Sequence, residues 1–196
     1  GTTYYNVLYD SIRGTNAAIS SNLTNGTYSN YNRLQSFDND GFTIKANNTA
    51  DLWKIDRSGQ PFVAWCFKAG GTAVANTDGN IASQVSANAA GGFSIVKWSG
   101  NDTTGGTIGH GLSSTPELTI IKKTSATANW QVSLNASVTG VEGYMNLDAN
   151  VALYTTYPLY YTSSNSTVLS SNGTSTGTRL YNNQSANYIA YCFHSV

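Results

Sequence analysis

Phe62-Val63-Ala64-Trp65-Cys66-Phe67 and Tyr188-Ile189-Ala190-Tyr191-Cys192-Phe193 are near-copies of one another, and between them they hold the only two cysteines of this 196-residue chain. Each hexapeptide is too short and too aromatic for a surface helix and has the composition of a fully buried strand. Side chains alternate along a strand. Val63, Trp65 and Phe67 then share one face, as do Ile189, Tyr191 and Phe193, while Ala64, Cys66, Ala190 and Cys192 fall on the other. A bulky face backed by a small one suits a central strand with a layer packed closely behind it. The two segments are therefore expected to end two β-layered units. Cys66 and Cys192 are expected to be free and buried, because two cysteines are too few for a disulfide scaffold and free cysteine is a common core residue.

The rest of the chain extends this pattern. Helical periodicity is almost absent, and strand-like runs recur between turn dipeptides such as Asn25-Gly26, Asp40-Gly41, Asp78-Gly79 and Gly105-Gly106. That spacing predicts an all-β fold of the β-sandwich or jelly-roll kind. Strands are expected over 4–9, 33–37, 42–45, 62–68, 93–98, 118–123, 130–134, 144–147, 167–170 and 188–194. Residues 70–91 are rich in Gly, Ala, Asn and Ser and contain no aromatic residue. They read as a linker or long connection, leaving one β-unit over 1–69 and a second over 92–196.

Composition narrows the function. Charged residues make up 10% of the chain, and Lys plus Arg (10) equals Asp plus Glu (10), so the net charge is zero. An ordinary soluble domain carries about 25% charged residues. Without a basic field to collect phosphates, nucleic acid is not an expected partner. No apolar run approaches the length of a membrane-spanning helix, so a membrane is not expected either. A surface this poor in charge does little to resist self-association, which fits a subunit of an assembly.

Catalytic and cofactor signals are weak. The histidines, His110 between two glycines and His194, form no metal-ligand spacing, and His110 reads as a turn residue bonded to backbone. No G-x-S-x-G elbow is present. Glu117 and Glu142 are the only glutamates, and nothing pairs them as glycosidase carboxylates. No catalytic residue and no cofactor is expected. Asp38 and Asp40, in Asp38-Asn39-Asp40-Gly41, have the local look of a calcium loop but lack its later ligands and closing Glu; a tight turn is the better reading. Tyr157, Tyr160 and Tyr161 around Pro158 are the weak candidates for a sugar-stacking platform.

These segments also form an ordered series. Leu8-Tyr9-Asp10-Ser11-Ile12-Arg13-Gly14, Leu34 to Phe37, Asp40-Gly41-Phe42-Thr43-Ile44 and FVAWCFKAGG at 62–71 resemble the C-terminal half of a concanavalin-like, laminin-G-type domain found in virion proteins of marine tailed bacteriophages. Gly92 to Asn101, Thr107 to Leu112, Pro116, Ile120-Ile121-Lys122 and Tyr188 to Phe193 are similar to the module that follows it there. Departures are Phe67, where those proteins often have Trp, and Ser113-Ser114-Thr115-Pro116, where they often have Gly-x-x-Pro.

The resemblance implies a non-enzymatic virion structural protein of a tail fibre, tail or capsid-surface appendage, acting in assembly and host-surface contact. Its implied partners are other virion proteins, host-surface glycans and copies of itself, trimers being usual for fibres. It makes residues 1–69 a partial concanavalin-like unit whose leading strands must come from a neighbouring chain or from residues upstream. A secreted or cell-surface carbohydrate-binding module is the alternative reading.

Overall fold

The computed structural model describes residues 4–29, 33–45, 55–135, 143–154, 164–171 and 182–196. The described residues form fourteen strands and one short 3-10 turn. In chain order they are β1 (Val7–Leu8), β2 (Ala17–Ser20), β3 (Tyr28–Ser29), β4 (Leu34–Phe37), β5 (Phe42–Ile44), β6 (Val74–Asn76), β7 (Ser83–Asn88), the 3-10 turn (Ala89–Gly91), β8 (Phe93–Ser99), β9 (Gly106–Gly109), β10 (Leu118–Lys123), β11 (Gln131–Leu134), β12 (Gly143–Asn146), β13 (Val168–Ser171) and β14 (Asn187–Phe193). The fold is all-β, of the β-sandwich type. None of the described helical residues forms a helix long and apolar enough to cross a membrane.

Seven strands make one antiparallel sheet in the order β12-β11-β10-β14-β8-β7-β6. Its centre is the second hexapeptide. Residues 187–193 of β14 pair with all of β8, from Asn187 opposite Ser99 to Phe193 opposite Phe93, and residues 188–193 pair with β10. The alternation read from the sequence is the alternation found here. Ala190 and Cys192 face one side with Val96, Trp98, Ile121 and Tyr188, and that side is closed by Ile108 of β9 and Leu169 of β13. Ile189 and Tyr191 face the other side with Phe93, Ile95 and Trp130, closed by Ile19 of β2 and by Leu8 and Ile12. The small sheets β9–β13 and β1-β2-β3 thus cover opposite faces of the large one, giving three layers. Removing apolar area from both faces of one strand is worth about 25 cal/mol per Å², and it makes β14 the most buried element of the fold.

The first hexapeptide behaves differently. Residues 61–70 contain no strand, bridge, turn or bend, so the chain runs straight there without joining a sheet. Val63 is 84% exposed and Trp65 83%. The expected buried strand over 62–68 is therefore corrected, and with it the burial of Cys66, which is exposed; Cys192 is buried, and both thiols are free. The physical reason is pairing. An apolar strand is buried only when neighbours supply hydrogen bonds on both edges and layers on both faces. β14 has β8 and β10 beside it, whereas residues 62–67 have no ladder partner among the described residues.

Residues 70–91, expected as a linker, carry β6, β7 and the 3-10 turn, and so belong to the large sheet. β7 escaped the sequence reading because its buried residues are Ser83 and Val85 on one face and Ser86 on the other, too polar to register as a hydrophobic run. The turn after it is fixed by Asn88, whose Oδ1 accepts a hydrogen bond from the Gly91 amide at 3.0 Å, and by Gly92 at φ +63°. A Cβ at Gly92 would lie 2.2 Å from the His194 carbonyl oxygen. The short strands β2, β3 and β9 were also unforeseen. The separate hairpin β4–β5 lies largely exposed.

Candidate functional site

Two surface features stand apart from the core. The first is the straight segment 62–67. Its C-terminal end is anchored. The Phe67 ring packs 5.5 Å from Phe93 and 5.3 Å from Phe193, centroid to centroid. Asn88 Nδ2 donates to the Lys68 carbonyl at 3.0 Å, and Ser86 Oγ donates to the Gly71 carbonyl at 2.7 Å. Gly70 sits so close to β7 that a Cβ there would lie 2.0 Å from the Ala87 carbonyl oxygen. Beyond this anchor Phe62, Val63, Ala64, Trp65 and Cys66 project into solvent as one apolar ridge, with no charged residue from Gly59 to Phe67.

The second is an open depression of about 450 Å³ lined by Ser113, Ser114, Thr115, Glu117, Ser166, His194 and Ser195. The antiparallel pairing of β10 with β14 brings residue 117 beside residues 194–195. Glu117 Oε1 accepts hydrogen bonds from the Ser195 amide, at 3.1 Å, and from the Ser195 hydroxyl. Those two donors hold the Glu117 carboxyl below its usual range. His194 Nδ1 lies 2.5 Å from the Ser195 carbonyl oxygen, not from its hydroxyl, and Nε2 is buried with no partner among the described residues. The Ser195 hydroxyl is therefore committed to a carboxylate and turned away from the imidazole. The arrangement offers hydroxyls and one carboxylate for hydrogen bonding to a polar ligand. Sequence reading passed over it because 113–117, 166 and 194–195 meet only through sheet pairing.

The residues singled out from sequence are found as follows. Asp38 closes the β4–β5 hairpin: its amide donates to the Gly41 carbonyl at 2.9 Å and its Oδ2 accepts from the Thr43 hydroxyl at 2.8 Å. Asp40 is exposed on the same turn. No cluster of three or more His, Cys, Asp or Glu suited to a metal occurs among the described residues. His110 is buried; Nδ1 accepts from the Leu112 amide at 3.1 Å and Nε2 lies 3.0 Å from the Asn165 carbonyl, so the ring is a neutral donor–acceptor tied to backbone. Burial lowers its pKa further. Tyr157, Tyr160, Tyr161 and Glu142 lie outside the described residues.

Two buried polar clusters were missed as such. Asp10, Arg13 and Tyr191 form one. Arg13 Nε sits 2.5 Å from Asp10 Oδ2, Tyr191 OH donates to the same oxygen at 2.8 Å, and Arg13 also donates to the Ala17 carbonyl at 2.6 Å. The Asp10-Ser11-Ile12-Arg13 motif is thus a bolt that fixes the β1–β2 connection onto the central strand. Lys122 makes the other. Its Nζ donates to the carbonyls of Thr24, at 2.7 Å, and Ala128, and lies 5.7 Å from the Trp130 ring centre. Burial lowers its pKa to about 8. Both clusters face the layer interface, where they hold loops in place.

The fold and these surfaces define a layered, antiparallel all-β protein in which, among the described residues, the apolar segment 62–67 joins no sheet. The chain belongs to the family described as a domain of unknown function (DUF7483), which matches residues 1–196. No curated protein and no solved structure matches it.

Proposed function

We propose that this chain is a non-enzymatic structural subunit of a tailed-phage virion, part of a fibre, tail or capsid-surface appendage, acting in assembly and in contact with the host surface. The observation that carries the assembly reading is the ridge at 62–67. Monomers rarely expose a contiguous apolar patch of this kind without an interaction to serve, and here it lies on a chain with 10% charged residues and no net charge. The virion setting rests on the resemblance of the ordered motifs alone. Copies of this chain and other virion proteins are its expected partners.

The hydroxyl-lined depression around Glu117 favours a second reading, a carbohydrate-binding module, since hydroxyls and a carboxylate suit a polyol. Light scattering across micromolar concentrations, run beside a glycan array, separates the two. The structural reading expects ordered multimers and no saturable glycan signal. A single monomeric species overturns it, and saturable binding lost in Glu117→Ala favours the module.

A further inference from the structure

We infer that two copies of this chain pair through residues 62–66 as antiparallel strands about a two-fold axis passing between the two Ala64 residues. The inference rests on the assembly reading above and specifies its contact.

The limits of the pairing stretch are set by chemistry. Pro61 has no amide hydrogen to donate to a ladder, so pairing stops on that side. On the other side Phe67 is held by Phe93 and Phe193, and the Lys68 carbonyl is taken by Asn88. Residues 62–66 remain, straight and without a ladder partner among the described residues. Their sequence is the near-copy of the β14 stretch that forms ladders on both edges, so strand pairing is what this composition does when a neighbour is present.

Symmetry then fixes the register. A two-fold between identical antiparallel strands lies perpendicular to the sheet, so facing residues share a parity and one residue faces its own copy. The middle of 62–66 is Ala64. Ala64 faces Ala64, Val63 faces Trp65 and Phe62 faces Cys66. Every Trp65 ring thereby packs on a β-branched side chain, a favourable cross-strand pair, and the small residue sits on the axis. No charged side chain falls in the stretch to repel its copy. Natural exposed strands are usually guarded by lysines or bulges against this event; this one is not.

The area sets the strength of the contact. With Phe62 51%, Val63 84% and Trp65 83% exposed, the stretch offers at most roughly 400 Å² of side chain per copy, or roughly 800 Å² for the pair, the size of a weak, reversible interface. A three-fold cannot pair one segment with itself in this way, so the expected unit is a dimer or an assembly of dimers.

Cysteine crosslinking tests it. Cys192 is fully buried and silent, so Cys66→Ala leaves no reactive thiol. In that background Ala64→Cys, Val63→Cys and Phe62→Cys are oxidised mildly at micromolar protein. Directly opposed residues sit about 5 Å apart and diagonal ones about 7–8 Å. The expected result is a covalent dimer that forms at least tenfold faster for Ala64→Cys than for the other two. Trp65→Lys, at a site too exposed to affect folding, is expected to lower the wild-type mass to that of the monomer with an unchanged melting temperature. Trimers with no preference for position 64, or multimers unaffected by Trp65→Lys, overturn this interface while leaving the assembly reading intact. A wild-type monomer overturns both.

Discussion

Asp10 shows how much one buried carboxylate carries in a chain with so few charges. Its two oxygens accept from the amides of Ile12 and Arg13, from Arg13 Nε and from the Tyr191 hydroxyl. Asp10→Ala strands the buried Arg13 guanidinium, and removing one partner of a buried pair costs about 3–5 kcal/mol. Tyr191→Phe removes one neutral donor and leaves the pair intact, a loss of about 1 kcal/mol. Urea unfolding of the two variants is expected to separate them in that order. Equal losses would show that the hydroxyl, not the charge, is the anchor. Burial raises the Tyr191 hydroxyl well above its ordinary pKa, with Asp10 acting in the same direction. The phenol therefore stays a donor at any pH at which the fold survives.

Among the elements, the connection between β6 and β7 is the one whose role changed most. Its Asp78-Gly79-Asn80 turn clamps the large sheet to β9. Asn80 Oδ1 accepts from the Thr107 amide at 2.7 Å, the Asn80 amide donates to the Thr107 hydroxyl at 2.9 Å, and the Ile81 amide donates to the Thr107 carbonyl at 3.0 Å. Gly79 lies against the same peptide, where a Cβ would come within 2.1 Å of the Thr107 oxygen. Gly79→Ala must push the turn away from β9. The expected cost is about 1–3 kcal/mol, with faster hydrogen exchange at the Ile81 and Thr107 amides than at those of β14. Uniform loosening across all strands would contradict a local clamp.

For the whole molecule, the buried titratable groups set how stability answers to alkali. The Cys192 thiol, between Ser94 and Thr119 on neighbouring strands, is pushed up to about 12 by burial, and Tyr188 likewise to about 12. Both groups keep their protons longer in the folded state, so their stabilisation is complete below the unfolded pKa, near 9 and 10, and is lost as pH rises toward 12. Lys122 acts the other way. With its pKa lowered to about 8, the folded state holds fewer protons than the unfolded chain between pH 8 and 10.5, so stability rises there. The opposing slopes predict a melting temperature nearly level from pH 9 to 10, where Lys122 offsets Cys192, and a fall above pH 10 as Tyr188 and Tyr191 add to the loss, steeper still beyond 10.5. Lys122→Met is expected to move the onset of that fall down to about pH 9. An onset unmoved by the substitution would remove Lys122 from the balance.

At this same scale the line between sequence and tertiary structure becomes plain. The all-β class, the turn role of Asp38 and the backbone-bound His110 were legible because each depends on residues a few positions apart. The alternating faces of β14 were legible for the same reason: alternation is a property of the strand itself. The strand β7 was not, since serine becomes a core residue only when a neighbouring layer covers it, nor was β6, a three-residue edge strand with no buried face to read. Nor was the depression around Glu117, whose walls meet through the β10–β14 ladder. The two hexapeptides make the point most directly. By itself the sequence determined that each has one bulky and one small face and the appetite of a central strand. Only the tertiary structure decided that the second is enclosed between β8 and β10 while the first stands in solvent, because burial belongs to the neighbours a strand finds and not to the strand.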